Sequence, residues 1–119
     1  MTAVVLLIDD IRRFRDNRPC LLARTPDEGL DLVRAHRLQG IDELWLDHDL
    51  GWTPDGQRRT VMPVVAELVR AAATSEPYRI GRILIHSANP AGALAIRRAL
   101  ESAGYAVVRH HALIWRHEF

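Results

Sequence analysis

Val4-Val5-Leu6-Leu7-Ile8-Asp9-Asp10 is a run of five apolar residues that ends on two carboxylates. A short run that is apolar at every position suits a strand buried on both faces of a parallel sheet, whereas a strand with one wet face would alternate. Four further segments read as strands: Cys20–Ala23, Glu43–Leu46, Arg82–Ile85 and Tyr105–Val108. Helix signals stand between them. Thr25-Pro26-Asp27-Glu28 is a capping box with proline at the first helical position, followed by Leu30, Leu32, Val33 and Leu38 and stopped at Gly40. Val61–Ala73 reads as the next helix. Asn89-Pro90 opens another, with Leu94, Ala95, Ile96 and Leu100 as its apolar positions and Gly104 as its stop. A short helix is expected over Ile11–Arg18, ended by Pro19, and Gly51–Gly56 reads as a loop. Strands alternating with helices imply right-handed crossovers, so the expected architecture is α/β, with a five-stranded parallel sheet wound in both directions from its first strand. Only ten residues follow Arg109, too few for a full final helix, which is expected to be shortened or absent.

At 119 residues the chain has room for one hydrophobic core, and 1–119 is read as one domain. Hydrophobic residues make up 48% and charged residues 26%, a balance that supports a packed globule and excludes a disordered chain. No apolar run approaches the roughly 20 residues that span a bilayer, and the apolar start runs straight into Asp9-Asp10 without a cleavage-like site. Membrane insertion and secretion are therefore not expected. The lone Cys20 cannot form an internal disulfide and suits a reducing, cytoplasmic location. A net charge of +1 names no polyanionic partner. All 16 basic residues are arginine, so any mechanism that requires a lysine is excluded.

In open parallel sheets ligands bind beyond the carboxyl ends of the strands, so the residues that end each strand carry the functional argument. The first strand ends in Asp9-Asp10, the third in Asp47-His48-Asp49, the fourth in His86-Ser87 and the fifth near Arg109-His110-His111. Asp9, Asp10, Asp47 and Asp49 would repel one another unless a cation satisfied them, and an all-oxygen donor set suits magnesium, manganese or calcium rather than zinc. His48 or His86 would carry a proton near neutral pH. Ser87, Asn89 with the amides opening the helix at Pro90, and Arg109 are the candidate phosphate contacts. Plainer roles compete: Asp9 and Asp10 as helix caps, His86 as a satisfied core residue, and Trp45, Trp52 and Trp115, too scattered for a stacking platform, as packing residues.

The acidic pair after the first strand, with Asp47 followed by Leu50, Gly51, Asp55 and Gly56, resembles the pattern of response-regulator receiver domains over nearly the whole chain. That resemblance implies the receiver, flavodoxin-like strand order 2-1-3-4-5. It also implies magnesium held by Asp9 and Asp10, a phosphoryl-accepting Asp47 and Ser87 in the family's Ser/Thr position. The family's lysine is missing, with Arg109 an approximate positional substitute. Leu46-Asp47-His48-Asp49-Leu50-Gly51 and His86-Ser87-Ala88-Asn89-Pro90-Ala91-Gly92 are similar to the narrower cyclic-phosphate-processing receiver-like family. What this implies is a metal-dependent phosphoesterase acting on a cyclic nucleotide or an RNA 2′,3′-cyclic end. Water attack assisted by metal and nucleophilic attack by Asp47 both stay open, and the alternative is a non-catalytic pseudo-receiver that binds a protein partner. The expected ligand is a phosphate-bearing small molecule or RNA end. A homodimer would cover the side left bare by the short carboxyl terminus.

Overall fold

The computed structural model describes residues 3–109 and 115–117. In chain order its elements are β1 (Val5–Ile8), β2 (Arg12–Phe14), β3 (Leu21–Ala23), α1 (Pro26–Ala35), β4 (Ile41–Leu46) and β5 (Asp49–Trp52). There follow β6 (Arg58–Thr60), α2 (Met62–Ala73), β7 (Ile80–Ile85), α3 (Pro90–Ser102), β8 (Val107–Arg109) and β9 (Trp115–His117). The five expected strands form one sheet in the order β3-β1-β4-β7-β8, every pair parallel. This is the receiver, flavodoxin-like order.

The register sorts side chains cleanly. Leu6, Leu44 and Ile83 align on one face, while Leu7, Trp45 and Leu84 align on the other. From β3 through β4 and β7 to β8 the chain advances in one direction, so right-handed crossovers put α1, α2 and α3 on the same face. There Leu6, Ile8, Leu44, Leu46, Ile83 and Ile85 pack against Val33, Leu68 and Ile96. Thr25 caps α1 by accepting from the Glu28 amide at 3.2 Å, and Asn89 caps α3 by accepting from the Gly92 amide at 3.0 Å, as their sequences predict. α1 ends at Ala35, so Leu38 lies beyond it and is 87% exposed rather than part of its apolar stripe.

The step from β1 to β3 runs the opposite way and crosses the second face. The helix expected over Ile11–Arg18 is not formed; Arg12–Phe14 is a strand, paired antiparallel with Trp115–His117. The segment holds four arginines and only two apolar residues, Ile11 and Phe14, so a helix here would have no stripe to bury. Asp9 also draws the chain away from a helix by accepting from the Ile11 and Arg12 amides at 3.0 and 2.9 Å. Phe14 then stands edge-on to Trp45, with ring centroids 5.1 Å apart, and joins Leu7 and Leu84 in a second core cluster. Phe14→Ala is expected to cost about 3–5 kcal/mol in a urea titration. A loss below about 1 kcal/mol would mean that Phe14 is not what seals this face.

The expected loop at Gly51–Gly56 begins inside a hairpin, β5 pairing antiparallel with β6. Its register shifts between Asp49 and Trp52, where Gly51 adopts φ +77°, a conformation that a bulge accommodates with glycine. No helix follows β8 among the described residues, and none of the described helices is long and apolar enough to cross a membrane.

Candidate active site

Because Ile8, Leu46 and Ile85 are aligned across β1, β4 and β7, the residues that follow them fall side by side where the strands end. These are Asp9, Asp47 and His86, the three buried polar or charged side chains among the described residues. Asp10 joins them: oxygen atoms of Asp9, Asp10 and Asp47 lie within 4.8 Å of one another. Like charges this close, in a site with little water, must bind protons or a cation. Burial, reinforced by the charge of Asp9, pushes Asp47 up to about 7, against opposing contributions from Arg12 and a hydrogen bond with Ser87. Burial and the same Asp9 charge also raise Asp10.

Asp9 behaves differently. Burial works against its charge, but hydrogen bonding and attraction to His86, with the Ile11 and Arg12 amides, outweigh that and hold it below the usual carboxylate range. The His86 Nε2 lies 2.9 Å from Asp9 Oδ2, with both side chains buried. The three donors on Asp9 leave one of a carboxylate's roughly four lone-pair sites for another ligand. His86, read from sequence as a proton carrier, is thus placed as the partner that orients a candidate metal ligand. His86→Gln is therefore expected to weaken divalent-metal affinity about 10- to 100-fold by titration calorimetry. Unchanged affinity in the folded variant would remove that role.

Asp49 is not brought into the acidic cluster. Its Oδ1 lies 2.9 Å from His48 Nδ1, and its Oδ2 accepts from Asn89 Nδ2 at 3.3 Å. The His48 hydrogen bond leads the contributions that hold Asp49 below the usual carboxylate range. Asp47 shares the face of Leu7 and Trp45, and alternation turns the next residue, His48, toward the helices; Asp49 opens a new strand, β5, where its bonds to His48 and Asn89 keep it with that group. His48 consequently packs on Gly92 in the first turn of α3, where a Cβ would meet its ring at 2.4 Å. Asn89, Asp49 and His48 form a relay in which a carboxylate fixes an imidazole, the arrangement that orients a general acid or base.

Ser87 links the two groups, bonding Asp47 and accepting from the Asn89 amide at 3.0 Å. Asn89 has both ends of its side chain engaged, by Asp49 and by the Gly92 amide. One Nδ2 proton holds Asp49, and the second is the donor its side chain has for a phosphate. Since Pro90 has no N–H and the Gly92 and Ala93 amides are bonded to Asn89, the Ala91 amide is what the first turn leaves for a ligand among the described residues. Arg109 ends β8 beside Ile85, at the same rim. His110 and His111 lie outside the described residues.

The residue that sequence reasoning missed is Arg12. Its Nη1 donates to the His86 carbonyl at 2.7 Å and lies 3.9 Å from Asp9 Oδ2. Arg24 braces the same turn, donating to the carbonyls of Asp9 at 3.1 Å and Arg12 at 2.9 Å. An arginine three residues after the first aspartate was the available signal, hidden by reading the segment as a helix.

No match was found among the curated proteins or the solved structures. A protein-family match runs from residue 4 to residue 102, which takes in β1 through α3 and every member of the two clusters just described. The chain therefore belongs to the cyclic-phosphate processing Receiver domain family.

Proposed function

We propose that this chain is a metal-dependent phosphoesterase that opens a cyclic phosphate on a nucleotide or RNA end. The observation that carries this reading is the convergence of Asp9, Asp10 and Asp47 at the sheet rim, their oxygens within 4.8 Å of one another. The donor set fits a hard divalent cation, magnesium first, with manganese or calcium as substitutes. Its crowding, which raises both Asp10 and Asp47, is relieved when such an ion binds. When bound, the ion would supply Lewis-acid neutralisation of the phosphoryl oxygens.

The chain's own residues do the rest. Asp9, held ionised by His86, and Asp47, ionised above about pH 7, would hold the ion beside Asp10. Ser87, whose hydroxyl bonds Asp47, keeps that carboxylate aimed at the same point. Water adds to phosphorus, one phosphorus–ester-oxygen bond breaks, and a proton passes to the departing alkoxide. We assign that proton to His48, because each imidazole is bonded to a carboxylate but the His48 side chain keeps 14% of its surface exposed against 1% for His86. A reducing cytoplasm suits the half-buried Cys20, whose thiol burial pushes up.

The test is incubation with 2′,3′-cyclic and 3′,5′-cyclic nucleotides and a cyclic-ended RNA, with magnesium, with manganese and with chelator. The expected result is a phosphomonoester formed only when metal is present. Metal binding with no turnover across the whole panel would instead favour a non-catalytic pseudo-receiver.

A further inference from the structure

Trp52 does not pack into the protein. It is 61% exposed at the end of β5, and the Arg58 guanidinium carbon, across the hairpin, stands 5.2 Å from its ring centroid. Arg58 also lines a groove of about 510 Å³, together with Arg59, Thr25, Asp27, Thr53 and Thr60. The volume is of the size that holds one nucleotide, within the roughly 300–1,000 Å³ of small-ligand sites. Its composition is also apt. Two guanidiniums and the hydroxyls of Thr25 and Thr60 offer donors to phosphate oxygens, the Thr53 hydroxyl being spent on Asp55, and an exposed indole offers a face on which any base can stack.

Both walls are rooted at the candidate active site. β5 starts at Asp49, whose carboxylate contacts His48 and Asn89. Thr25 follows Arg24, which donates to the Asp9 carbonyl. β5 also passes the acidic cluster, since a Cβ on Gly51 would lie 3.4 Å from Asp10 Oδ2. A chain of nucleotides ending at the cluster can therefore run along the hairpin toward the groove, whereas a mononucleotide fills only one of the two places. Resting on the phosphoesterase reading above, we infer that the substrate is the 3′ end of a single-stranded RNA, with the nucleotide on the 5′ side of the one bearing the cyclic phosphate lodged between Trp52, Arg58 and Arg59.

The experiment uses the full chain and two ligands: a cyclic mononucleotide, and a pentanucleotide ending in a 2′,3′-cyclic phosphate. Turnover is followed for both with magnesium, and binding of a fluorescein-labelled pentanucleotide 3′-phosphate is followed separately by anisotropy. Trp52→Ala and Arg58→Ala, both with unchanged melting temperature, should raise the pentanucleotide KM and the anisotropy Kd by about 5- to 150-fold while sparing mononucleotide KM. Equal handling of mononucleotide and pentanucleotide, with neither variant altering their ratio, would overturn the groove assignment and leave the phosphoesterase intact. Pentanucleotide binding that depends on Trp52 without turnover of either ligand would sustain the groove and overturn the phosphoesterase. Failure to bind or turn over either ligand would overturn both.

Discussion

Asp47→Asn is expected to abolish turnover and, in the presence of chelator, to make the protein more stable. The first effect follows if Asp47 is either a metal ligand or a nucleophile, and a loss of at least about 10³-fold is expected, since an amide carries no negative charge and attacks poorly. The second follows from burial. Asp47 binds its proton more tightly in the folded protein, at about 7, than in the unfolded chain near 3.8. Its contribution to stability is therefore complete below about pH 4 and is lost as pH rises through 7, because the unfolded chain ionises first. Three pH units correspond to on the order of 4 kcal/mol at pH 8, an upper figure because the variant also alters the Ser87 hydrogen bond. Urea titrations of metal-free protein between pH 4 and 8 should show this slope in the wild type and a flatter one in the variant. Identical slopes would mean that Asp47 is not crowded by its neighbours, and full activity in the folded variant would sink the site.

Gly92→Ala is expected to impair both chemistry and packing. An added Cβ would sit 2.4, 2.6 and 2.7 Å from His48 Cγ, Nδ1 and Cδ2, so the ring must swing away and lose its hold on Asp49. Gly92 is buried and Cγ is the root of the ring, so the overpacking should also cost about 1–3 kcal/mol in a urea titration, although alanine is the better helix former. Turnover should fall by about 10²–10⁴-fold, the usual worth of a positioned proton carrier. His48→Gln should lose a similar factor, and the double variant no more than the worse single one, because both remove one function. Near-normal activity in a folded Gly92→Ala protein would assign the proton to another group.

What the sequence reveals depends on how far the deciding contact lies along the chain. The five sheet strands and three helices were legible because apolar runs, capping residues and stop glycines are local signals. The acidic cluster was legible too, since parallel strands in register place their ends together whatever the detail. Two things were not. The split of Asp47 from His48 is set by alternation at the end of β4, together with the room that Gly92 leaves in α3, and Asp49 is held with His48 by its bonds to that ring and to the remote Asn89. The extended course of Arg12–Phe14 is set by partners remote in sequence: Trp45, Leu84 and the antiparallel strand Trp115–His117. With its helix reading went Arg12, the cation nearest Asp9, and a position that looked like exposed helix surface instead braces the His86 strand end.

The pairing of β2 with β9 also governs the order in which a growing chain can finish itself. Synthesis delivers amino-terminal segments first, and they fold as their partners emerge. The helical side of the sheet is complete once β8 is available, since α1, α2 and α3 all precede it. Phe14 emerges early, yet the strand that pins its segment arrives only after β1 through β8. Until then Leu7, Trp45 and Leu84 lie beneath a three-residue stretch with no strand beside it, an apolar surface open to chaperones or to other nascent chains. A stop codon before Trp115 would leave every member of the acidic cluster translated and hold the product at that vulnerable stage, so its damage should be seen in solubility before it is seen in catalysis.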